Sequence, residues 1–159
     1  RGLGDVYKRQ ELKSLGADVV LIDGPDLASQ IASAANNAPV SLALDAVGGE
    51  TFTRLTNSLA YGGTIVAYGM LSGQPATVNT ARTIFNDIRI RGFWLSKWFE
   101  TAGPEEKQAA FGQVVPLIAS GAMKAKVDSR YSVGEIKQAV SRAAQRSING
   151  KVIIVPNEY

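Results

Sequence analysis

The stretch VSLALDAVGGETFTRLTNSLAYGGTIVAYG, residues 40–69, holds two mostly apolar runs separated by a segment with helical spacing. The runs LALDAV and TIVAYG are continuous rather than alternating with polar residues, which indicates strands that are buried on both faces. In ETFTRLTNSL, between them, apolar residues recur three or four positions apart, as on one side of a helix. Strand, helix and strand in this order predict a βαβ unit with parallel strands.

The chain upstream of this unit shows the same alternation. Residues 11–18 (ELKSLGAD) contain the end of a helix, with Gly16 in the position just after its last turn. Residues 19–22 (VVLI) are predicted to form a short strand, and residues 27–35 a helix. Strands that alternate with helices in this rhythm predict the α/β class, with a doubly wound parallel sheet of the Rossmann type.

Downstream of residue 86 the pattern changes. Ile88 and Ile90 alternate with Arg89 and Arg91, which is typical of a half-exposed edge strand. The segments that follow are a helix from Pro104 to Gly121, an extended segment at residues 123–132, a helix at residues 133–146 and a final strand at residues 150–156. The change near residues 100–104 is the candidate domain boundary.

The composition excludes several classes of function. The chain has 159 residues, 45% of them apolar and 19% charged, with no Cys and no His. It therefore lacks thiol nucleophiles, disulfides, a Ser–His pair and the usual zinc ligands, and no metal site is expected. All apolar runs are shorter than the roughly 20 residues of a membrane helix. The net charge of +3 comes mostly from residues 1–10, so neither nucleic acid nor membrane is expected as a partner.

Residues 1–10, RGLGDVYKRQ, are predicted to be foreign to the protein. With a permitted choice of codons they reverse-translate to CGT GGG CTC GGA GAT GTG TAT AAG AGA CAG, which resembles the tail of a transposon-tagging adapter used in DNA library preparation. A genuine loop or tag is the alternative. A sequencing-adapter translation has no part in the fold, and the native chain is then expected to have lost part of its N-terminal side.

Both strands of the opening unit end in glycine, at Gly48, Gly49 and Gly69. Ligands of an open α/β sheet lie beyond the carboxyl ends of its strands, where glycine lets the backbone approach them. Such glycines also form tight turns between strand and helix, and for each glycine taken alone this second interpretation is favoured. The phosphate-binding motif G-x-G-x-x-G does not occur in the chain.

An aromatic cluster, GFWLSKW, occupies residues 92–98. Its aromatic side chains could form part of a core, an interface, or a wall on which a flat ligand stacks. Spacing alone favours core or interface, because large aromatic side chains are usually buried.

Five segments together resemble the medium-chain dehydrogenase/reductase superfamily: LKSLGADVVL, LALDAVGGE, LAYGGTIVAYGMLSGQP, IFNDIRIRGFWLSKW and GKVIIVP. The resemblance spans nearly all of residues 11–156. GGTIVAYG is shared widely across the superfamily. RGFWLSKW after IFND is more typical of one branch, the NADPH-dependent trans-2-enoyl-CoA (2-enoyl thioester) reductases.

This resemblance implies a set of NADPH-binding residues. In that family, stretches after the fifth and sixth strands line the NADPH site, and a Lys just before the last strand contacts the cofactor. The corresponding residues here are Tyr68, Gly69, Met70, Leu71, Phe93, Trp94, Leu95 and Lys151. Members of the family often have a second Gly where this chain has Met70, so the chain departs from the pattern at that position.

The resemblance also implies that several functional parts lie outside this chain. The family begins with a β-rich, GroES-like substrate domain that holds a catalytic Tyr, followed by a nucleotide-binding domain of strand order 3-2-1-4-5-6. No catalytic residue is expected here, and Tyr61, Tyr68 and Tyr131 match no proton-donor position. Residues 11–99 correspond to part of the nucleotide-binding domain, and residues 100–159 to a segment that returns to the substrate domain.

By this resemblance, the parent protein reduces the C=C bond of a 2-enoyl-CoA or enoyl-ACP with NADPH, as in fatty acid metabolism. An NADPH:quinone reductase of the same superfamily and a non-catalytic nucleotide-binding relative are the alternatives. The sixth strand of the family pairs with that of a second copy, which implies a homodimer through residues 89–93. The expected location is the cytoplasm in a bacterium, and mitochondrial targeting stays open because the native N-terminus is expected to be missing.

Overall fold

The computed structural model describes residues 3–145 and 148–156. The chain divides into two compact units, Arg1–Thr101 and Ala102–Tyr159. Among the described residues, no helix has both the length and the apolar character that a membrane span requires.

The first unit contains a three-stranded parallel sheet with helices between its strands. Its elements are α1 (Leu3–Ser14), α2 (Leu27–Ala34), β1 (Leu42–Asp45), α3 (Gly49–Ser58), β2 (Thr64–Ala67), α4 (Thr80–Phe85), β3 (Arg89–Gly92) and α5 (Leu95–Thr101). The strands lie in the order β1-β2-β3, and both pairs are parallel. These are strands 4, 5 and 6 of the predicted doubly wound sheet, so the α/β class is confirmed.

The core of the first unit lies between one face of the sheet and α3. Ile65, in the middle strand β2, is fully buried, and it clusters with Ala43 of β1, Phe52 of α3, Leu59 and Ile88. Burying a Leu, Ile or Phe side chain stabilises a fold by about 1.5–3 kcal/mol. Burial on this face therefore fixes the strands against α3, and with them the edge at which all three strands end.

The opposite face of the sheet is open, contrary to the prediction that the strands are buried on both faces. Leu42 and Leu44 of β1 alternate with the buried residues of that strand, and they are 56% and 62% exposed. In the sheet, Leu44 lies beside Val66, which lies beside Arg91 of β3. A parallel sheet needs a layer of helices on each face to bury both sets of side chains, and α3 covers the other one.

The predicted strand VVLI, residues 19–22, is not formed. Residues 19–22 have no regular secondary structure, and Val19 and Ile22 are exposed. A strand requires the backbone of a neighbour, and in the order 3-2-1-4-5-6 the neighbour of strand 3 is strand 2. The described residues supply no such neighbour. Asp23, just after the segment, accepts hydrogen bonds from Arg54 and Thr51 of α3.

The helix α1 spans the expected boundary between foreign and native residues, because it begins at Leu3 and continues to Ser14. It ends as predicted, with Gly16 at φ +100° and the amides of Gly16 and Ala17 bonded back to Lys13 and Leu12. Residues 1 and 2 and the side chains of residues 3–7 lie outside the described part of the structure. The foreign origin of residues 1–10 stays a prediction.

The second unit contains a long helix and a two-stranded sheet. Its elements are α6 (Pro104–Ala119), β4 (Val127–Ser132), a 3₁₀ turn (Val133–Glu135), α7 (Ile136–Ala143) and β5 (Lys151–Val155). The helices and strands predicted from Pro104 onward are thus present, and β4 and β5 pair in parallel.

The Asp128 carboxylate joins three parts of the second unit. It lies on β4 and accepts hydrogen bonds from the Arg142 guanidinium of α7 (Nη2 to Oδ1 2.6 Å, Nε to Oδ2 2.8 Å) and from the amide of Asn149, before β5. The bonds from Arg142 hold the pKa of Asp128 well below its usual range. These contacts fix the start of β5 and so the position of Lys151 within this unit.

Candidate functional site

The carboxyl ends of β1, β2 and β3 meet at one edge of the first unit's sheet, because all three strands run in parallel. Two loops define this edge: the β1 loop, residues 46–48, and the β2 loop, residues 68–72. The residues that follow β3 lie beyond the same edge. Ligands of open α/β sheets bind beyond the carboxyl ends of the strands, so this edge is the candidate site.

The β1 loop is shaped by the side chain of Asp45, the last residue of β1. Asp45 is 1% exposed. Its Oδ1 accepts hydrogen bonds from the amides of Val47 (3.0 Å) and Gly48 (3.2 Å), and its Oδ2 accepts from Gly48 (2.9 Å). Aspartate commonly bonds to backbone two residues ahead in such turns. Asp45 is not among the residues predicted from the sequence, although D-A-V-G carries this signal.

The β2 loop is held on the β1 loop by its backbone. The amides of Tyr68, Leu71 and Ser72 donate to the carbonyls of Asp45 (2.9 Å), Ala46 (3.1 Å) and Val47 (2.9 Å), respectively. The backbone of Gly69 passes so close to Ala46 that a Cβ atom on Gly69 would lie 2.7 Å from the Ala46 carbonyl oxygen. Gly69 is therefore needed for the contact between the two loops, which supports the turn interpretation for this glycine.

Gly48 lies next to Met70, the residue at which the chain departs from the family pattern. Gly48 has φ +74° and ψ −164°, a backbone conformation that side chains other than that of glycine rarely allow. A Cβ at this position would lie 3.5 Å from Met70 Cγ and 3.5 Å from Ser72 Oγ. These are ordinary van der Waals distances, so it is the backbone conformation at position 48, and not contact with Met70, that requires glycine.

The predicted cofactor-binding side chains on these loops are exposed. They are Tyr68, Met70 and Leu71 after β2, and Phe93, Trp94 and Leu95 after β3. Phe93 is tied to the sheet by its amide, which donates to the carbonyl of Ala67 (2.9 Å). Trp94 is 69% exposed, so the interpretation of this residue as part of a core is wrong for the first unit. The structure therefore brings seven of the eight predicted residues to one edge.

Lys151, the eighth residue, lies in the second unit. It is the first residue of β5, is exposed, and its amide donates to the carbonyl of Lys126 (2.7 Å). A role for its side chain in cofactor binding stays a prediction.

A cleft of about 450 Å³ lies between the two loops and the start of α3. It is lined by Gly48, Gly49, Glu50, Thr51, Ser72, Gln74 and Pro75. In this set only Gly48 and Gly49 carry a signal in the sequence. Ser72 and Gln74 give no separate signal in the sequence, because their position depends on how the β2 loop folds onto the β1 loop.

Zinc does not fit the residues of this chain. The sequence has no Cys and no His, which are the usual zinc ligands. Within residues 3–145 and 148–156, no group of three or more His, Cys, Asp or Glu side chains is arranged to hold a metal ion.

Residues 4–120 match the family described as zinc-binding dehydrogenase. Over 146 residues the chain is 36% identical to the mitochondrial enoyl-[acyl-carrier-protein] reductase of Dictyostelium discoideum, an alignment that covers 91% of this chain and 41% of that protein. The chain thus spans about two fifths of the length of the curated relatives it matches.

Solved structures show the same architecture. A mycobacterial quinone oxidoreductase is 26% identical, with a TM-score of 0.80 over 94% of this chain and 46% of that one. A mutant enoyl thioester reductase from Candida tropicalis is 23% identical, with a TM-score of 0.75 over 96% of this chain and 44% of that one. This second likeness concerns the fold alone.

Proposed function

We propose, from the premise that this chain belongs to the zinc-binding dehydrogenase family, that it is the C-terminal part of an NADPH-dependent 2-enoyl thioester reductase. The observation that carries the proposal is the 36% identity to an enoyl-[acyl-carrier-protein] reductase over 91% of this chain. The proposed substrates are 2-enoyl-CoA or enoyl-ACP thioesters.

In this proposal the edge of the first unit's sheet binds the cofactor. Residues 68–71 and 93–95 offer exposed backbone and apolar side chains beside the carboxyl ends of β2 and β3. Apolar and aromatic surfaces of this kind hold a flat ring and exclude water from one of its faces. The proposal also includes Lys151, because the corresponding Lys of the 2-enoyl thioester reductases contacts the cofactor.

The chemistry divides between the cofactor and residues outside this chain. When bound, NADPH supplies a hydride for the β-carbon of the enoyl thioester. The α-carbon takes a proton from the Tyr that the 2-enoyl thioester reductases have in their substrate domain. In this division residues 11–99 are part of the nucleotide-binding domain and residues 100–159 return to the substrate domain. Residues 68–71 and 93–95 therefore orient the cofactor and perform no proton transfer.

A quinone reductase is the second candidate, supported by the likeness to the mycobacterial quinone oxidoreductase. That enzyme shares the sheet described here, so the two candidates differ in the substrate and not in the fold. A fold by itself does not decide between substrates.

The test compares two electron acceptors in the full-length enzyme, obtained from the complete parent gene. We expect NADPH oxidation with crotonyl-CoA to be faster than with a soluble benzoquinone, measured by the loss of absorbance of the reduced nicotinamide. NADH serves as the control for cofactor choice. Faster oxidation by the quinone would support the second candidate, and no oxidation by either acceptor would contradict both.

We further propose that the full-length enzyme is a homodimer through residues 89–93. β3 lies at the edge of the sheet. The amides of Arg89 and Phe93 donate to the carbonyls of Gly63, just before β2, and of Ala67, the last residue of β2. Alternate amides of a strand point to opposite sides, so the amides of Ile90 and Gly92 face away from β2. They are free to pair with the same strand of a second copy.

Two substitutions at residue 90 test this edge in the full-length enzyme. Ile90→Pro removes the outward amide and leaves the bonds to β2 in place, so we expect it to convert a dimer to a monomer in light scattering. Ile90→Ala shortens the same side chain but keeps the amide, and it should stay dimeric. A monomeric wild-type enzyme, or a dimeric Ile90→Pro variant, would count against pairing through this edge.

The proposed location is the mitochondrion in a eukaryote, or the cytoplasm in a bacterium. The first is supported by the relatives named mitochondrial enoyl-[acyl-carrier-protein] reductase in Dictyostelium discoideum and Mus musculus.

A further inference from the structure

Asp45 links the interior of the first unit to the loop that would bind the cofactor. Its carboxylate binds the amides of Val47 and Gly48, and so sets the path of the β1 loop. The carbonyls of residues 45–47 accept the three amides that position the β2 loop. The β2 loop contains residues 68–71, which carry half of the predicted NADPH contacts. A continuous series of hydrogen bonds thus leads from a buried charge to the proposed site.

We propose that Asp45 is a positioning residue for the dinucleotide cofactor: it orders the β1 loop, on which the cofactor-binding β2 loop is built. This inference rests on the proposed function for the identity of the ligand. Asp45 itself is buried below the loops and does not touch the cofactor.

The carboxylate is difficult to replace for two reasons. Without it, the amides of Val47 and Gly48 lose their acceptor in a region that is buried or partly buried, and an unsatisfied buried donor is unfavourable. Water can satisfy those amides only if the β1 loop moves outward. Such a movement would also turn the carbonyls of Ala46 and Val47, which hold Leu71 and Ser72. The effect is therefore expected at the β2 loop and not only at the mutated residue.

Amide hydrogen exchange in the full-length enzyme tests the ordering of the loop directly. In Asp45→Ala we expect the amides of Tyr68, Leu71 and Ser72 to exchange about tenfold faster than in the wild type, the factor that corresponds to one lost hydrogen bond. Asp45→Asn keeps Oδ1 as an acceptor, so its exchange should lie between the two. This variant also provides the answer if Asp45→Ala does not fold.

A matched control separates positioning from simple loss of stability. Thr56 is equally buried, and its Oγ1 donates to the carbonyl of Phe52 within α3 (2.8 Å). Thr56→Val should lower the melting temperature without faster exchange at the three β2-loop amides. Equal exchange at those amides in Thr56→Val and in the Asp45 variants would overturn the inference.

The dissociation constant for NADPH, measured by nicotinamide fluorescence, connects the loop to function. We expect it to rise about tenfold in Asp45→Ala and to stay near the wild-type value in Thr56→Val. Faster exchange with an unchanged dissociation constant would overturn the role of Asp45 in cofactor binding. A wild-type enzyme that binds no NADPH would instead contradict the proposed function, and the exchange comparison would still decide whether Asp45 orders the loop.

Discussion

Expressed on its own, the 159-residue chain is expected to oxidise no NADPH with crotonyl-CoA and to show no cooperative thermal transition. The first unit leaves one face of its sheet open at Leu42 and Leu44, and among the described residues no strand pairs with the outer edge of β1. In the second unit, Phe111, Leu117 and Ile118 of α6 are also exposed. An intact domain has a net stability of about 5–15 kcal/mol. A large apolar side chain that is fully exposed forgoes about 1.5–3 kcal/mol. These side chains are about half exposed, so the sum over several such positions is enough to remove that stability.

The full-length enzyme is the control for this prediction. Under the same conditions it should give a cooperative melt by circular dichroism and measurable oxidation of NADPH, whereas the 159-residue chain should aggregate or bind a hydrophobic dye strongly. A sharp melt together with NADPH oxidation by the 159-residue chain would show that the open face and the unpaired edge do not destabilise it.

Replacing Trp94 by alanine in the full-length enzyme is expected to weaken NADPH binding about 10- to 100-fold, the range found when an aromatic side chain that stacks on a base is removed. Trp94 is exposed, and surface substitutions usually change stability by less than about 0.5 kcal/mol. The melting temperature should therefore change little. The two measurements are the dissociation constant for NADPH and a thermal melt.

Trp98 provides a matched control one helical turn away. It is partly buried, and its ring lies edge-on to that of Phe99, with centroids 5.1 Å apart. Trp98→Ala should lower the melting temperature and leave the dissociation constant for NADPH nearly unchanged. If Trp94 were instead a core residue of the full-length enzyme, its truncation would cost about 3–5 kcal/mol of stability. A much lower melting temperature with unchanged turnover in Trp94→Ala would show that Trp94 is a core residue of the full-length enzyme.

The elements predicted correctly are those whose sequence pattern is local. β1, β2 and α3 follow from the spacing of apolar residues in 40–69, and α6 follows from Pro104 and the acidic residues after it. α4 was missed, although its signal is also local: Asn79 Oδ1 accepts from the amides of Ala81 and Arg82 at the start of the helix. The start of α5 at Leu95 was also not predicted, because it follows the edge strand β3 so closely.

The features that could not be predicted depend on residues distant in the chain. Residues 19–22 have the composition of a strand, but a strand forms only where a neighbouring backbone is present. Tryptophan is a residue type that is usually buried. The exposure of Trp94 depends instead on the direction that the chain takes after the end of β3. All eight candidate site residues could be named from the resemblance, and seven of them lie at one edge of the sheet. Asp45 became visible only through its buried contacts.

Because Gly69 passes close to Ala46, position 69 of the β2 loop cannot accept a side chain without a movement of the backbone, whereas the neighbouring positions can. At position 69 even a methyl group would lie 2.7 Å from the Ala46 carbonyl oxygen, so a substitution there would require a simultaneous rearrangement of the β1 loop. At positions 68, 70 and 71 the side chains project into solvent. Divergence in cofactor affinity between descendants of this protein should therefore accumulate at those three positions, while substitutions that replace Gly69 should be removed by selection.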